Sequence, residues 1–143
     1  MILYFYGINS KRKRGDILSD KINVRMRLAS ESKLLLEKLR EAFKEQFGFD
    51  VSYSSLVNQI VRTQYKKMRE IEWQNIKLKK LDFSNLTMSN DWGYQTSFMI
   101  EKDVLDSLLE MQIYFMNVFG AKRIHKAFVV RLCIKSYYLD NFK

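Results

Sequence analysis

Apolar residues change their spacing along the chain in an order that occurs twice. Residues 21–28 (KINVRMRL) alternate between apolar and polar side chains. This period of two predicts a half-buried β-strand. One face of the strand carries the apolar residues Ile22, Val24, Met26 and Leu28. The same pattern returns more weakly at residues 94–100 (YQTSFMI), with Tyr94, Thr96, Phe98 and Ile100 on the inward face.

A helical stripe follows each strand, with apolar residues three or four positions apart. The stripes consist of Leu36, Leu39, Phe43 and Phe47 in the first case and Val104, Leu108, Met111, Phe115 and Phe119 in the second. Ser30 is a candidate cap for the first helix, and Asp103 lies near the start of its counterpart. Gly48 and Gly120 stand where a helix end favours a left-handed residue.

A second helix is predicted after each glycine, from about Ser52 and from about Lys122. Shifting the sequence by 72 residues aligns residues 22–65 with 94–137 without a gap, which indicates an internal repeat. Identical residues at this offset are Leu36 and Leu108, Phe43 and Phe115, Phe47 and Phe119, Gly48 and Gly120, Val57 and Val129, and Tyr65 and Tyr137.

Each repeat thus predicts one strand and two helices. Since a lone strand cannot satisfy its backbone groups, we expect the two strands to pair with each other. The expected fold is mainly α with a short two-stranded antiparallel ribbon, in which two strand-helix-helix units form an intramolecular pseudo-dimer. Pairing between chains would instead give a four-unit dimer. Residues 66–80 lack helix breakers and predict a continuation of the second helix, and residues 84–90 (SNLTMSN) predict a loop.

The expected divisions are an apolar segment and basic arm at 1–20, a first unit at 21–65, a connection at 66–93 and a second unit at 94–143, within one compact domain. Absence of proline and the presence of only five glycines agree with long helices. The chain has 25 Lys and Arg against 16 Asp and Glu, and this net charge of +9 favours a polyanionic partner, nucleic acid before an anionic membrane. Ordinary surface lysines are the alternative explanation.

The chemistry of the remaining residues predicts a protein that is not an enzyme and needs no cofactor or metal. Cys133 and His125 are the single cysteine and histidine, so they cannot form an intramolecular disulfide or a zinc-finger ligand set. We expect Cys133 to pack in the core and His125 to be a surface or capping residue. There is no Gly-rich phosphate loop and no nucleophile with a base at motif spacing.

The strand, helix, glycine turn and second helix resemble the Arc/MetJ ribbon-helix-helix pattern over about 90 of the 143 residues. Two units on one chain are similar to the tandem TraY-type relaxosome accessory proteins of conjugative plasmids. In that family the ribbon enters the major groove of DNA and reads bases through its outward side chains. The resemblance assigns base reading to Asn23, Arg25 and Arg27 in the first strand and Gln95, Ser97 and Met99 in the second. Met99 donates no hydrogen bond, so the second strand is expected to read bases less strongly.

The resemblance also implies that the starts of the second helices hold DNA phosphates. The corresponding residues are Ser52, Tyr53 and Ser54 in the first unit and Lys122, Arg123 and Lys126 in the second, together with Lys21. A basic arm is a further candidate for phosphate or minor-groove contact, with a disordered tail as the alternative: Lys11, Arg12, Lys13 and Arg14. Solvated surface positions are likewise the alternative for the ribbon face and for the helix start.

The expected function is sequence-specific binding of double-stranded DNA as an accessory factor at an origin of transfer. A transcriptional repressor of plasmid or phage genes is one alternative, and an interaction scaffold that uses residues 1–8 (MILYFYGI) is another. This apolar segment is expected to dock on the domain, on another copy, or on a partner such as a relaxase. It is followed by basic residues, unlike a signal peptide, so we expect a cytoplasmic monomer or homodimer without a membrane partner.

Overall fold

A computed structural model describes residues 21–81 and 94–142. The first repeat consists of strand β1 (Lys21–Leu28) and helices α1 (Ser30–Phe47) and α2 (Tyr53–Lys66). A 3-10 turn (Met68–Glu70) and a short helix α3 (Trp73–Leu78) follow. The second repeat consists of β2 (Tyr94–Glu101), α4 (Lys102–Phe119) and α5 (Lys126–Asn141). The expected mainly helical fold with two strand-helix-helix units is therefore confirmed.

The two strands form an antiparallel ribbon within one chain. Lys21 lies opposite Glu101, and Leu28 lies opposite Tyr94. At the centre Arg25 faces Ser97, which is the residue that the 72-residue offset relates to it. The predicted pairing of strands within the chain is confirmed, and residues at equivalent positions of the repeat meet across the middle of the ribbon.

The inward face of the ribbon is covered unequally. Met26, Phe98 and Ile100 are buried against the helices. Val24 is half-buried and Ile22 is 47% exposed, and both line an open groove beside β1. The alternation therefore predicted the direction of these side chains, but their burial differs between the strands, since Ile100, opposite Ile22, is fully buried.

The first helix of each repeat ends at a glycine as predicted. Gly48 (φ +81°) and Gly120 (φ +61°) adopt left-handed conformations, and the N–H of each donates to the carbonyl of a residue four positions earlier. The predicted cap at the start of α1 is wrong by one position. Ala29 occupies the cap position without a side-chain hydrogen bond, and Ser30 is the first helical residue because β1 continues to Leu28.

The second helices, α2 and α5, pack against each other at the centre of the fold. Gln64 Nε2 donates a 2.7 Å hydrogen bond to Ser136 Oγ, and these residues are again related by the 72-residue offset. Cys133 is fully buried in this region, as predicted, and burial raises the pKa of its thiol. Val57 and Val129, also equivalent positions, are fully buried.

The predicted continuation of α2 through residue 80 is wrong. α2 ends at Lys66, and the N–H of Lys67 turns back to the carbonyl of Gln64. This turn brings Met68 and Trp73 into the core, where the Trp73 indole N–H donates to the Met68 carbonyl at 2.8 Å. Full burial of one large apolar side chain contributes roughly 1.5–3 kcal/mol, which a continued helix would forgo. The predicted loop at residues 84–90 lies outside the described residues.

Candidate nucleic-acid interface

The outward face of the ribbon presents all six residues assigned to base reading. Three exposed cross-strand pairs lie along it: Asn23 with Met99, Arg25 with Ser97, and Arg27 with Gln95. Lys21 is exposed at one end, opposite Glu101. The alternating pattern of both strands thus brings the predicted residues together on one narrow surface.

The side chains of the two arginines on this face have no hydrogen bond, ion pair or ring contact among the described residues. Arg25 and Arg27 stand two positions apart on β1, so their Cα atoms lie about 6.6 Å apart on one face. A guanidinium has five donors in a planar fork that matches the O6 and N7 acceptors of guanine. The centre of the ribbon therefore carries donors that are available to a ligand.

The start of α2 is tied to β2 by side-chain hydrogen bonds. Asn58 donates to the Met99 carbonyl and accepts from the Glu101 N–H, both at 2.9 Å. Ser54 Oγ accepts from the Met99 N–H at 2.9 Å. These bonds satisfy backbone groups on the outer edge of β2 and hold the Met99 end of the outward ribbon face in position.

A bidentate ion pair continues this junction along α2. Arg62 donates to both carboxylate oxygens of Asp103, at 3.0 and 3.1 Å, and lies 3.4 Å from a carboxylate oxygen of Glu101. Partial burial alone raises the pKa of Asp103, but the hydrogen bonds and charge of Arg62 outweigh it and lower the pKa below its ordinary value. This arginine is committed to the structure and is not available to a ligand.

The residues at the start of α2 have structural contacts of their own. Ser52 caps the helix, as predicted, because its Oγ accepts from the Ser55 N–H at 3.0 Å. The ring of half-buried Tyr53 lies under the Arg40 guanidinium, 4.7 Å from its centroid. Ser54 is bonded to β2. The first three residues of this helix start carry no cation themselves, and the Arg40 guanidinium over Tyr53 supplies positive charge beside them.

The start of α5 is more basic. α5 begins at Lys126, four residues later than predicted, so Lys122 and Arg123 lie exposed on the connection that precedes it. His125 is the exposed cap residue and makes no side-chain capping bond, which leaves first-turn N–H groups of α5 without a side-chain acceptor. Free N–H groups, the helix dipole and nearby cations together favour an anion.

A groove of about 1220 Å³ lies between β1 and the start of α5. Arg25 and Arg27 line one side of it, and Arg123 and Lys126 line the other. Phe119 and Phe128 also line the groove, and Lys77 Nζ stands 5.5 Å from the Phe119 ring centroid. The groove brings together predicted base-reading and phosphate-binding residues of β1 and the second repeat. Ser52 to Ser54 lie apart from it, beside β2.

In comparisons with known proteins, no family model, no curated protein and no solved structure matched this chain. Within residues 21–81 and 94–142, no group of His, Cys, Asp and Glu side chains could hold a metal ion. None of the helices in that part of the chain is long and apolar enough to cross a membrane.

Sequence reasoning missed the polar contacts of α2 with β2 and α4. Ser54, Asn58 and Arg62 are spaced four residues apart and therefore share one face of the helix. That spacing was the available signal, but a polar stripe is more often a solvated face. The predicted basic arm, Lys11 to Arg14, lies outside the described residues.

Proposed function

We propose that this protein binds double-stranded DNA sequence-specifically, inserting the β-ribbon into the major groove. The observation that carries the proposal is the exposed ribbon face, on which Arg25 and Arg27 are unpaired within the described part of the chain. A two-stranded ribbon fits the roughly 12 Å wide major groove, and Arg reads guanine there through two hydrogen bonds. The ribbon has the width that the major groove admits, and its outward polar side chains supply the donors that read the bases.

The two repeats act in this proposal as an intramolecular pseudo-dimer. Two contacts between equivalent residues support it: Arg25 opposite Ser97 in the ribbon, and Gln64 bonded to Ser136 between α2 and α5. Linkage on one chain places the two halves at an effective concentration near the mM range, so assembly of the ribbon is independent of protein concentration. The target is an asymmetric site, because the two strands carry different side chains.

The two halves divide the contacts unequally. Asn23, Arg25 and Arg27 supply most of the base reading, while Met99 offers a thymine methyl only apolar contact. Phosphate binding is stronger at Lys122, Arg123 and Lys126 than at Ser52, Tyr53 and Ser54, since the former are cationic. Lys21 extends the positive surface at the end of the ribbon, and the net charge of +9 attracts the duplex from a distance.

The proposed duplex is a transfer origin, at which the protein acts as a relaxosome accessory factor, in keeping with the resemblance of the tandem arrangement. Control of a plasmid or phage operator is the alternative role. Footprinting across the transfer-origin and intergenic DNA of the element that encodes the protein distinguishes the two, because protection is expected at the transfer origin in the first case and at a promoter in the second.

Selection of bound duplexes from a random pool at about 150 mM salt tests the proposal directly. A defined base preference is expected, with a loss of about 1–3 kcal/mol of discrimination at one position when Arg25 is replaced by alanine. The matched control is Ser97→Ala at the equivalent position of β2, which removes one hydroxyl and is expected to change the preference less. An unchanged preference in the Arg25→Ala variant contradicts the ribbon assignment.

A second variant separates phosphate binding from base reading. Lys122→Ala is expected to weaken binding to all duplexes about equally and to lower the slope of log affinity against log salt by about one unit. A base-specific effect of Lys122→Ala contradicts its assignment to phosphate. Absence of any duplex bound more tightly than random DNA refutes the proposed function itself and leaves the interaction scaffold as the remaining hypothesis.

A further inference from the structure

One face of α4 is apolar and uncovered in the described part of the molecule. Leu105, Leu109, Ile113 and Met116 are spaced three or four residues apart and form a continuous row, which we call the α4 stripe. Leu109 is 45% exposed and Ile113 is 65% exposed. Leu105 and Met116 are half-buried at the two ends of the row. A row of exposed aliphatic side chains at helical spacing is typical of a surface that packs against another polypeptide segment.

The first repeat contains a natural control for this surface. The 72-residue offset relates the α4 stripe to a row of four exposed charged residues on α1: Lys33, Glu37, Glu41 and Lys44. Both helices have 18 residues, and both end at a left-handed glycine. The fold therefore does not require apolar residues at these positions. Their presence on α4 alone indicates a contact that only the second repeat makes.

The first described residue, Lys21, lies beside the start of α4. Lys21, the first residue of β1, lies opposite Glu101, the residue that precedes α4. Opposed Cα atoms in an antiparallel ribbon are about 5 Å apart. α1 starts after Leu28, at the other end of the ribbon. Residues 1–20 are thus attached next to the first turn of α4 and away from the start of α1.

The attached segment has the composition and the length to reach the α4 stripe. Its residues 1–8 (MILYFYGI) are apolar, and residues 9–20 connect them to Lys21. Twelve connecting residues span up to about 40 Å, whereas α4 rises about 21 Å from Lys102 to Met116. Exposure of eight consecutive apolar residues to water is unfavourable. Contact between this segment and the α4 stripe would remove apolar surface of both from water.

The charges on α4 favour the same occupant. The helix carries Asp103, Asp106 and Glu110 but only one basic residue, Lys102, in a protein with a net charge of +9. Asp106 and Glu110 are exposed along one side of the stripe. The apolar segment is followed by four basic residues at positions 11–14 (KRKR). Its apolar residues therefore complement the α4 stripe, and its basic residues complement the acidic side chains beside the stripe.

We propose that residues 1–8 pack on the α4 stripe of the same chain, with residues 11–14 beside Asp106 and Glu110. The site is an intramolecular docking surface on α4, of which Leu105 also lines the groove beside β1, and the proposal does not depend on DNA binding. It gives the aromatic residues of the segment, Tyr4, Phe5 and Tyr6, an apolar surface to cover.

Paramagnetic broadening in the full-length protein tests this placement. A nitroxide is attached at Asn117→Cys, an exposed position next to the stripe, in a Cys133→Val background that uses the valine found at the equivalent Val61. Backbone amides of Tyr4, Phe5 and Tyr6, labelled selectively with ¹⁵N, are expected to lose most of their signal. The matched control is a nitroxide at Glu45→Cys, the equivalent position on α1, which is expected to leave those signals nearly unchanged.

A stripe variant and a mixing experiment complete the test. Leu109→Glu with Ile113→Glu installs the residues that α1 carries at 37 and 41, so folding is retained while the broadening from position 117 is expected to disappear. Glu37→Leu on α1 is expected to leave it intact. No broadening from position 117, or equal broadening from position 45, overturns the proposal. Broadening that appears only between nitroxide-bearing and ¹⁵N-labelled copies in a mixed sample also overturns it, in favour of a second copy.

Discussion

The second helices of the two repeats meet the opposite repeat through different chemistry. On α2 the contacting face is polar and forms hydrogen bonds and an ion pair with β2 and the start of α4. The repeat relates each of its residues to one on α5: Ser54 to Lys126, Asn58 to Val130, and Arg62 to Ile134. Val130 and Ile134 are fully buried. The same helix position is therefore held by directional bonds in one half and by apolar packing in the other.

This difference determines how firmly each strand of the ribbon is held against its neighbouring helix. The bonds of Asn58 and Ser54 occupy outer-edge groups of β2 and fix that strand against α2. At the equivalent positions α5 carries Val130 and Ile134, whose side chains form no hydrogen bonds, and the groove lies between α5 and β1. Hydrogen bonds specify one geometry, whereas apolar packing depends mainly on buried area. β2 is thus the anchored strand, and β1 is the strand on which the exposed cations Arg25 and Arg27 lie.

Replacement of Asn58 by valine, the residue at the equivalent position of α5, is the strongest test of the polar junction. The Glu101 N–H and the Met99 carbonyl would lose their partner at a site that is 3% exposed. Leaving buried polar groups unsatisfied costs about 1–3 kcal/mol, so we expect a loss of about 2 kcal/mol in the free energy of unfolding, measured with urea.

The control for this variant is Asn117→Ala, an exposed position of α4, which is expected to change stability by less than about 0.5 kcal/mol. Val130→Asn, the reverse exchange, should also destabilise, because it buries an amide without known partners at the apolar junction. A stability of Asn58→Val equal to that of the unmodified protein would show that the hydrogen bonds do not distinguish the two halves.

The sequence predicted the features that depend on short-range periodicity. Alternation placed β1 at its observed bounds, and the 72-residue offset related Arg25 to Ser97, which meet at the centre of the ribbon. Gly48 and Gly120 marked the helix ends because a left-handed residue without Cβ is a local requirement. Each of these signals lies within a few residues of the feature that it predicts.

The features that sequence missed are set by distant contacts. No proline or glycine marks the end of α2 at Lys66; the helix ends there because Met68 and Trp73 reach the core. In the sequence the polar face of α2 looks like a solvated face. Only the structure shows that β2 and α4 pack against it. Of the candidate site, the ribbon face followed from alternation, whereas the groove beside β1 required the position of α5.

The two helix-ending glycines allow a test of equivalence between the halves. Ala at either position is held in the left-handed region, which costs an L-residue roughly 1–2 kcal/mol. Nothing lies within 4 Å of a Cβ added at Gly48 or at Gly120, so the cost comes from the backbone alone. We expect Gly48→Ala and Gly120→Ala each to lower the free energy of unfolding by about 1 kcal/mol.

Thermal and urea unfolding of both variants measure this comparison. Because the local geometry is alike, the two losses should agree within about 0.5 kcal/mol. A much larger loss at Gly120 would mean that the turn before α5 also depends on contacts of the connection that bears Lys122 and Arg123, and the halves would then differ at this point as well.

The ion pair of Arg62 with Asp103 provides the smallest and most pH-dependent contrast. The Asp103 side chain is 65% exposed, so we expect Asp103→Asn to cost only about 0.5 kcal/mol at neutral pH.

The folded state lowers the pKa of Asp103 below its ordinary value. The stability that the charged carboxylate contributes is therefore present above the unfolded pKa of about 3.9 and lost as the pH falls through the folded value. Urea unfolding of both proteins at pH 7 and in steps below pH 4 should show the stability difference shrinking with acid. A difference that persists unchanged in acid would mean that Asp103 stabilises α4 by some means other than its charge.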